Sequence, residues 1–417
     1  MADLHQAMTA QISCAEVNPE HPLVRRVAIG VISFLTLIDL FAAQAILPKL
    51  AAAYHVSPSA AGFAVNSSTI GMAAAGILVA LVSDRIDRRR GIVTSLTLLS
   101  IPTALLALQP DLATFTALRI VQGVFMSAAF TLTLAYLAEN AGPDGAAAEL
   151  AAYVTGNVAS NLIGRFVSAA LTDHFGLATN FLVLAGLNLA GAALVLITLK
   201  RASAMMGMPE RDVPAAKAST GGKGMPSAWL AHLGNPALAA TFGIGFLILF
   251  AFIGTFTYVN FVLVRAPLSL GQMSLGFVYF VFLPALILTP LAGSLAKAIG
   301  PVLAIRLAFS AALIGLPLLL LPSLPGVLAG LALVGAGTFA AQAIATGFVG
   351  RLAASNRGAA SGLYLAAYYL GGLAGTAVLG RVFDTTGWTA CVAAIGISLA
   401  AALLLTTRLT GPSYPPA

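Results

Sequence analysis

Charge is what this sequence has least of. Asp, Glu, Lys and Arg together make up 8% of its 417 residues, whereas 59% are hydrophobic. A soluble domain needs charged side chains over its surface, so this composition excludes a soluble fold and indicates a chain that lies almost wholly in lipid.

Cysteines and recognisable catalytic motifs are scarce as well. Cys14 and Cys391 are the only two cysteines, and their separation fits neither a disulfide framework nor a zinc site. No Gly-x-x-x-x-Gly-Lys-Ser/Thr loop is present, so transport driven by ATP is not expected. The net charge of +7 comes from short loops rather than from a polar basic domain, which argues against a nucleic-acid partner. We therefore expect no enzyme, no metal and no cofactor beyond a proton gradient.

What the sequence has instead is long apolar segments, each of a length that crosses a bilayer. They predict an all-α membrane protein with twelve transmembrane helices in two six-helix bundles. A polar tail (1–24) opens an N-terminal bundle that ends at residue 199, a cytoplasmic linker covers 200–236, and a C-terminal bundle covers 237–417. The predicted segments are 27–47, 60–82, 91–108, 113–137, 147–170, 178–199, 238–263, 271–295, 302–321, 327–350, 359–382 and 388–406.

The basic residues predict the orientation. With the N-terminus inside, sixteen of the 21 Lys and Arg residues fall in inner loops and ends, against only Lys49, Arg265 and Arg381 outside. Because cytoplasmic loops carry the excess of basic residues, both termini are predicted to be cytoplasmic.

The two halves carry related sequences. The charged loop 80–91 has a weaker copy at 293–300, and Gly164, Asp173 and Gly176 match residues 211 positions later, Gly375, Asp384 and Gly387. Internal repeats of this kind are typical of secondary transporters, which bind substrate near the midplane between the repeats.

Three charged residues lie well inside predicted spans: Asp39, Arg119 and Arg165. A charge at bilayer depth is costly and is usually retained for function. We interpret Asp39 as the proton-coupling site, with Arg119 as its partner or as the group that expels the proton. The alternative is a static pair that holds two helices together. Arg165 suits an anionic or hydroxyl-rich substrate, or else is a structural cation.

Other polar and aromatic residues in the spans are candidates for the wall of a central cavity, although ordinary packing or a membrane-interface position fits each aromatic as well. These candidates are Gln44, Gln122, Asn157, Asn161, Arg165, Tyr258, Asn260, Gln342, Tyr364 and Tyr368. In the charged loop, the candidates for a gate are Asp84, Arg85, Arg88 and Arg89. The alternative is that these charges only set the orientation of the chain in the membrane.

These motifs resemble the major facilitator superfamily, and within it the twelve-span drug:proton antiporters. The antiporter loop Gly-x-Leu-Ala-Asp-Arg-x-Gly-Arg-Arg/Lys is matched at Asp84, Arg85, Arg88 and Arg89, with Ala80 and Asp87 in place of two glycines. The fourth-span pattern Arg-x-x-Gln-Gly is intact at 119–123. The fifth span carries Gly164-Arg165 instead of the antiporters' Gly-Pro. That departure, with Tyr258-Val-Asn260-Phe, is similar to a bacterial inner-membrane branch of sugar and purine-ribonucleoside exporters.

The resemblance implies the major facilitator fold, an association of Arg119 with proton coupling, and a monomer in the bacterial inner membrane. We expect proton-coupled export of a small organic molecule, such as a sugar, nucleoside, metabolite or drug, by alternating access. An uptake symporter or a uniporter on the same fold is the alternative. A transporter-like receptor is a further alternative, and the short polar linker argues against it.

Overall fold

A computed structural model describes residues 22–82, 86–140, 146–199, 232–353 and 357–409, and this part of the chain is helical almost throughout. In the first half the helices are α1 (Pro22–Ala45), α2 (Leu47–Tyr54), α3 (Pro58–Asn66), α4 (Ser68–Val82), α5 (Arg88–Leu106), α6 (Leu112–Asn140), α7 (Ala146–Ala159) and α8 (Arg165–Thr198). In the second half they are α9 (Pro236–Leu263), α10 (Gln272–Val278), α11 (Leu283–Ile299), α12 (Pro301–Leu318), α13 (Leu324–Leu352), α14 (Arg357–Thr386) and α15 (Trp388–Leu405).

The fifteen helices make twelve membrane crossings. Within the described residues, nine stretches are long and apolar enough to span a bilayer, and one of them, Ala151–Thr198, has 48 residues. At about 1.5 Å per residue that stretch is roughly 70 Å long, enough for two crossings of a hydrocarbon core of about 30 Å. The second crossing is α3 with α4, and the third is α5. This arrangement confirms the predicted fold class, twelve transmembrane helices in two bundles.

Several crossings are interrupted rather than continuous. A π-helical turn, Ser160–Gly164, joins α7 to α8, and a 3₁₀ turn, Tyr279–Phe282, joins α10 to α11. The second crossing breaks at Ser67, between α3 and α4. Interrupted helices inside a membrane are tolerated where other protein groups satisfy the released backbone, and they recur at binding sites.

The first crossing begins earlier than the apolar pattern indicates. Helix α1 already includes Pro22, inside the predicted polar tail, and Arg25 forms an ion pair with Glu149 of α7 at 2.9 Å. This pair accounts for a helix that extends beyond its apolar segment. The rest of the tail and residues 200–231 of the predicted linker lie outside the described residues.

Helix packing repeats between the halves. In the first half α1 packs on α7 and α8, α4 on α6, and α5 on α6 and α8. In the second half α9 packs on α14 and α15, α11 on α13, and α12 on α13 and α15. Each contact in one half has its equivalent in the other, so the two bundles are structural repeats.

The repeated glycines adopt the same backbone conformation. Gly176 has φ 86° and ψ 173°, and Gly387 has φ 87° and ψ −173°. These angles are open almost only to glycine, and each residue turns the chain sharply from one crossing into the next. The sequence repeat at these positions therefore encodes one shared turn.

The halves meet along two matched seams. In one seam α3 and α4 pack against α14, and in the other α7 and α8 pack against α10 and α11. Ser59 donates a hydrogen bond to the carboxylate of Asp384, which joins the halves at one end of the molecule, here called the Asp384 end. Gln272 also links the halves, through its side-chain amide to the carbonyl oxygen of Ala45 at 2.9 Å. The Asp384 end is therefore held closed by polar contacts between the halves.

Candidate proton and substrate site

Asp39 lies in the middle of α1 with 1% of its surface exposed, and its carboxylate is surrounded by uncharged donors. Asn188 of α8 donates to Oδ2 at 2.8 Å, the hydroxyl of Thr103 lies 3.3 Å from Oδ1, and the amide of Gln122 lies 3.4 Å from the same oxygen. Four crossings therefore converge on one carboxylate, which is the arrangement needed to hold a charge inside a membrane.

Arg119 of α6 is also buried, and its guanidinium is fully engaged. It donates to the carbonyl oxygens of Val65 and Asp39, at 2.8 and 3.1 Å, to Gln122 Oε1 at 2.7 Å, and to Ser68 Oγ at 3.3 Å. Two of these acceptors, Val65 and Ser68, lie where the second crossing breaks. The interruption thus supplies backbone and hydroxyl oxygens to a buried cation.

Asp39 and Arg119 do not form a direct ion pair. Their charged groups are not within 4.0 Å of each other, and the only direct contact runs from Arg119 to the backbone carbonyl of Asp39. Gln122 stands between the two side chains, since its oxygen accepts from Arg119 and its amide donates towards Asp39. In this structure the Asp–Arg contact considered from the sequence is therefore not a direct ion pair.

Arg165 marks a second polar centre, at the seam between the halves. It follows directly on the π-helical turn, is fully buried, and donates through Nη2 to Oε1 of Gln44. Its guanidinium carbon lies 4.5 to 5.8 Å from the centres of five aromatic rings, which belong to Phe41 of the first half and to Phe252, Phe256, Tyr279 and Phe282 of the second. Aromatic faces attract a cation, so these rings offset part of the cost of burying it.

A chain of amide contacts leads from Arg165 across the seam. Gln44 donates through Nε2 to Asn66 Oδ1 at 2.7 Å, and Asn66 donates to Thr257 of the second half at 3.0 Å. Asn260 donates to the carbonyl oxygen of Gln44 at 3.1 Å and accepts from the hydroxyl of Tyr279. The predicted residues Gln44, Arg165 and Asn260 are thus brought into one cluster.

The two centres meet at the break in the second crossing. Arg119 bonds the carbonyl of Val65, and the next residue, Asn66, bonds both Gln44 and Thr257. A change at either Asp39 or Arg165 therefore reaches the same short segment, which touches the opposite half.

The remaining predicted cavity residues lie elsewhere. Tyr258 is buried, donates to the carbonyl of Thr376 at 2.6 Å and stacks on Phe383, towards the Asp384 end. Tyr364 and Tyr368 stack on each other with ring centres 6.3 Å apart. Asn157 and Gln342 are half-buried on α7 and α13. Among the described residues, none of these five side chains hydrogen-bonds to Asp39 or Arg165.

Asn161 belongs to the polar stripe that contains Arg165. It lies one turn before Arg165 and is fully buried, and neither of its amide atoms has a hydrogen-bond partner among the described residues. Ser168 Oγ, further along the same face, is likewise buried without one. The stripe consists of residues that recur every three or four positions, Asn157, Asn161, Arg165 and Ser168. Several of its polar atoms have no hydrogen-bond partner among the described residues.

Only part of the predicted gating loop can be placed. Asp84 and Arg85 lie outside the described residues. Arg88 opens α5, and Arg89 donates to the carbonyl of Leu196 at the end of α8. Asp87, which occupies a glycine position of the family loop, caps α5 by accepting from the backbone N–H of Arg90 at 2.8 Å.

Sequence reasoning missed several residues of the site. Five residues that bond the site residues were not predicted. Thr103 and Asn188 bond Asp39, and Asn66 bonds Gln44. Tyr279 bonds Asn260, and Thr257 bonds Asn66. A mid-span asparagine such as Asn66 or Asn188 was a usable signal, because lipid cannot satisfy an amide. The threonines carried no comparable signal, since a threonine hydroxyl can bond its own helix.

Two repeated bundles with a buried polar site at the seam between them define a secondary transporter. The family model of the Major Facilitator Superfamily matches residues 29–283, and the chain belongs to that superfamily. It is therefore a multi-pass membrane transporter rather than an enzyme.

Named relatives agree with this assignment. The inner membrane transport protein YnfM of Escherichia coli K12 is 29% identical over 392 residues, which cover 93% of this chain and 91% of the relative. The uncharacterized MFS-type transporter YybF of Bacillus subtilis 168 is 25% identical over 93% of this chain and 94% of its own. The drug efflux pump JefA of Mycobacterium tuberculosis H37Rv is 31% identical over 113 residues, 27% of this chain and 22% of its own.

Solved structures share the fold. A bacterial homologue of the human lysosomal transporter Spinster, in an inward-facing and unoccupied conformation, superposes with a TM-score of 0.67. The match covers 94% of this chain and 95% of that one, at 14% sequence identity. At this identity the likeness extends to the fold alone.

Proposed function

We propose that this transporter exports a small organic molecule from the cytoplasm in exchange for protons, with Asp39 as the proton-carrying group. The observation that carries the proposal is the environment of Asp39. Its carboxylate is buried and accepts hydrogen bonds from neutral donors, and the side chain of Gln122 lies between it and the cation Arg119. A carboxylate without a direct cationic partner can take up and release a proton without breaking an ion pair.

Protonation of Asp39 would act on Arg119 through Gln122. A neutral carboxyl no longer attracts the Gln122 amide as strongly, because hydrogen bonds to a charged acceptor are about twice as strong as neutral ones. Gln122 also accepts from Arg119, so its movement changes the bonds that Arg119 makes to Val65 and Ser68. Those bonds lie at the break that touches Thr257 of the second half, which gives the proton a route to the seam.

Exchange requires that substrate binding also change the contacts at the seam between the two halves. The cluster of Arg165, Gln44 and Asn66 meets this requirement, since Gln44 bonds both of the others. If the proton and the substrate each bind one conformation of the seam more tightly than the other, the binding of one changes the affinity for the other. The size of this coupling depends on how differently each binds the two conformations.

The orientation rests on the basic residues. With both termini in the cytoplasm, the Asp384 end faces the outside of the inner membrane, and α3, α14 and Gln272 close that face. The relative JefA is a drug efflux pump, which supports the outward direction. We further propose that the protein works as a monomer, with the lipid bilayer, protons and its substrate as partners and with no other cofactor.

The test is transport by purified protein in liposomes with an imposed pH gradient, over a panel of sugars, nucleosides and cationic dyes. The parent protein is compared with Asp39→Asn and with a matched control, Asp111→Asn, at an exposed carboxylate that caps α6. We expect a substrate to move against the proton flow, and Asp39→Asn alone to abolish the gradient-driven part.

Two outcomes overturn parts of the proposal. If the substrate moves in the same direction as the protons, the protein is an uptake symporter and not an exporter. If the substrate equilibrates across the membrane at a rate that does not depend on the pH gradient, in both the parent and Asp39→Asn, the protein is a uniporter and Asp39 is structural.

A further inference from the structure

Arg165 is a buried cation that has no counterion among the described residues. It is fully buried, and no carboxylate oxygen of the described residues lies within 4.0 Å of its nitrogens. Aromatic rings offset only part of the cost of holding a charge at bilayer depth. An anion would compensate the rest of this charge.

The hydrogen bonds of the guanidinium point to the same conclusion. Nη2 donates to Gln44, whereas Nε and Nη1 have no acceptor among the described residues. Nε and Nη2 form one edge of the guanidinium, the edge that a carboxylate can grip with both oxygens. In this structure a neutral amide oxygen accepts from Nη2, and Nε has no acceptor among the described residues.

Arg119 makes a useful contrast. It is buried to the same degree, but its bonds to Val65, Asp39, Gln122 and Ser68 occupy Nε, Nη1 and Nη2. Burial by itself therefore does not leave a guanidinium unpaired in this protein.

The surroundings of Arg165 indicate what the rest of the ligand is like. Phe41 belongs to the first half, and Phe252, Phe256 and Phe282 belong to the second, so separation of the halves opens the space between these rings. A group that enters there meets aromatic faces on both sides. An apolar or aromatic body suits this setting, because aromatic faces pack favourably against such groups.

We propose that Arg165 binds the carboxylate of the transported molecule, and that the substrate is a small organic monoanion with an apolar or aromatic body. The carboxylate displaces Gln44 Oε1 and spans Nε and Nη2, because a charge-assisted pair of bonds is stronger than one bond to an amide. Asn161, one turn earlier with both amide atoms unpaired, is placed to bond a polar substituent. The inference rests on the proposed transport function and names its substrate class.

The charge balance favours a monoanion over a phosphate. Arg165 is the one unpaired guanidinium of this cluster, and a dianionic group would bring a second negative charge to a site that has a single positive one. An uncompensated charge at this depth is costly.

Displacement of Gln44 has a consequence for the seam. Gln44 Nε2 donates to Asn66, and Asn66 in turn holds Thr257. A carboxylate that moves Gln44 therefore loosens the contact between the halves that Arg119 also reaches.

The experiment is calorimetric titration of the purified full-length protein in detergent, without a pH gradient. The probes are 1-naphthoate, its neutral isostere 1-naphthamide, and the dianion 1-naphthyl phosphate. We expect 1-naphthoate to bind at least tenfold more tightly than the other two. Arg165→Gln should remove this preference and Arg165→Lys should keep part of it. Arg265→Gln, at an exposed arginine beside Phe383, should leave it unchanged.

Equal binding of naphthoate and naphthamide, tighter binding of the phosphate, or an unchanged preference in Arg165→Gln overturns the proposal. If Arg165→Gln does not fold, the three probes on the parent protein decide the matter. Because binding is measured without a gradient, a carboxylate preference with no proton-driven transport refutes only the proton coupling. Proton-driven transport without a carboxylate preference refutes only the substrate class.

Discussion

Asn66 donates a hydrogen bond to Thr257 across the seam between the two halves, with 3.0 Å between nitrogen and oxygen. Both residues are fully buried. The same Asn66 accepts from Gln44, the partner of Arg165, and it follows Val65, whose carbonyl accepts from Arg119. One short interruption of the second crossing is therefore the place where the Asp39–Arg119 centre, the Arg165 cluster and the opposite half are in contact.

Thr257→Val should loosen this contact and populate the form that is open at the Asp384 end. A net hydrogen bond is worth about 1 kcal/mol, which corresponds to a change of about fivefold in the population of the open form. The measurement is labelling of Ser168→Cys, on the buried polar stripe, by a membrane-impermeant maleimide in a background without other cysteines. The labelling rate should rise about fivefold.

The matched control for this variant is Thr241→Val, on the same helix α9. The hydroxyl of Thr241 bonds only the carbonyl of Ala237 in its own helix. Equal labelling rates in both variants would show that Thr257 does not hold the halves together.

Gln122→Leu should uncouple Asp39 from Arg119. Leucine cannot bridge the two groups, and it leaves one buried donor of Arg119 without its acceptor, at a cost of about 1–3 kcal/mol. We expect proton-driven transport to fall about tenfold or more, measured as the gradient-dependent part of flux in liposomes.

Thr133→Val serves as the control, because Thr133 is also buried on α6 but its hydroxyl bonds the carbonyl oxygen of Ala129 within its own helix. It should keep the dependence on the gradient. A Gln122→Leu protein with full gradient-driven flux would remove Gln122 from the proton route.

Gly123→Ala should destabilise the first bundle. A Cβ on Gly123 of α6 would overlap the carbonyl oxygen of Ser68 on α4, and backbone cannot move aside as a flexible side chain does. Overpacking of this kind costs about 1–3 kcal/mol. The thermal unfolding temperature in detergent should fall by several degrees, as expected for a change of that size.

Gly186→Ala is the companion variant, since a Cβ there meets no atom within 4 Å. It should leave the unfolding temperature unchanged or raise it slightly, because alanine favours a helix over glycine by up to about 1 kcal/mol. A similar loss in both variants would mean that the contact at Ser68 is not what limits stability.

Much of the fold follows from local sequence. Apolar segments of bilayer length predicted the crossings, and the repeated Gly176 and Gly387 marked equivalent turns, because each feature is set by residues close together in the chain. The end of α1 is an exception. Its N-terminal residues lie outside the apolar segment, and Arg25 among them pairs with Glu149, which is distant in sequence and gives no signal in an apolar pattern.

The sequence by itself determined a twelve-span transporter with three costly charges, Asp39, Arg119 and Arg165, inside the membrane. A charged residue inside a long apolar segment can be recognised from the sequence alone, without knowing which residues surround it in the fold. Only the tertiary structure decided how those charges are partnered. Gln122 separates Asp39 from Arg119, and Arg165 lies among aromatic rings with part of its guanidinium unpaired. Hydrogen bonds join atoms of residues far apart in the chain, and their geometry exists only once the helices have packed.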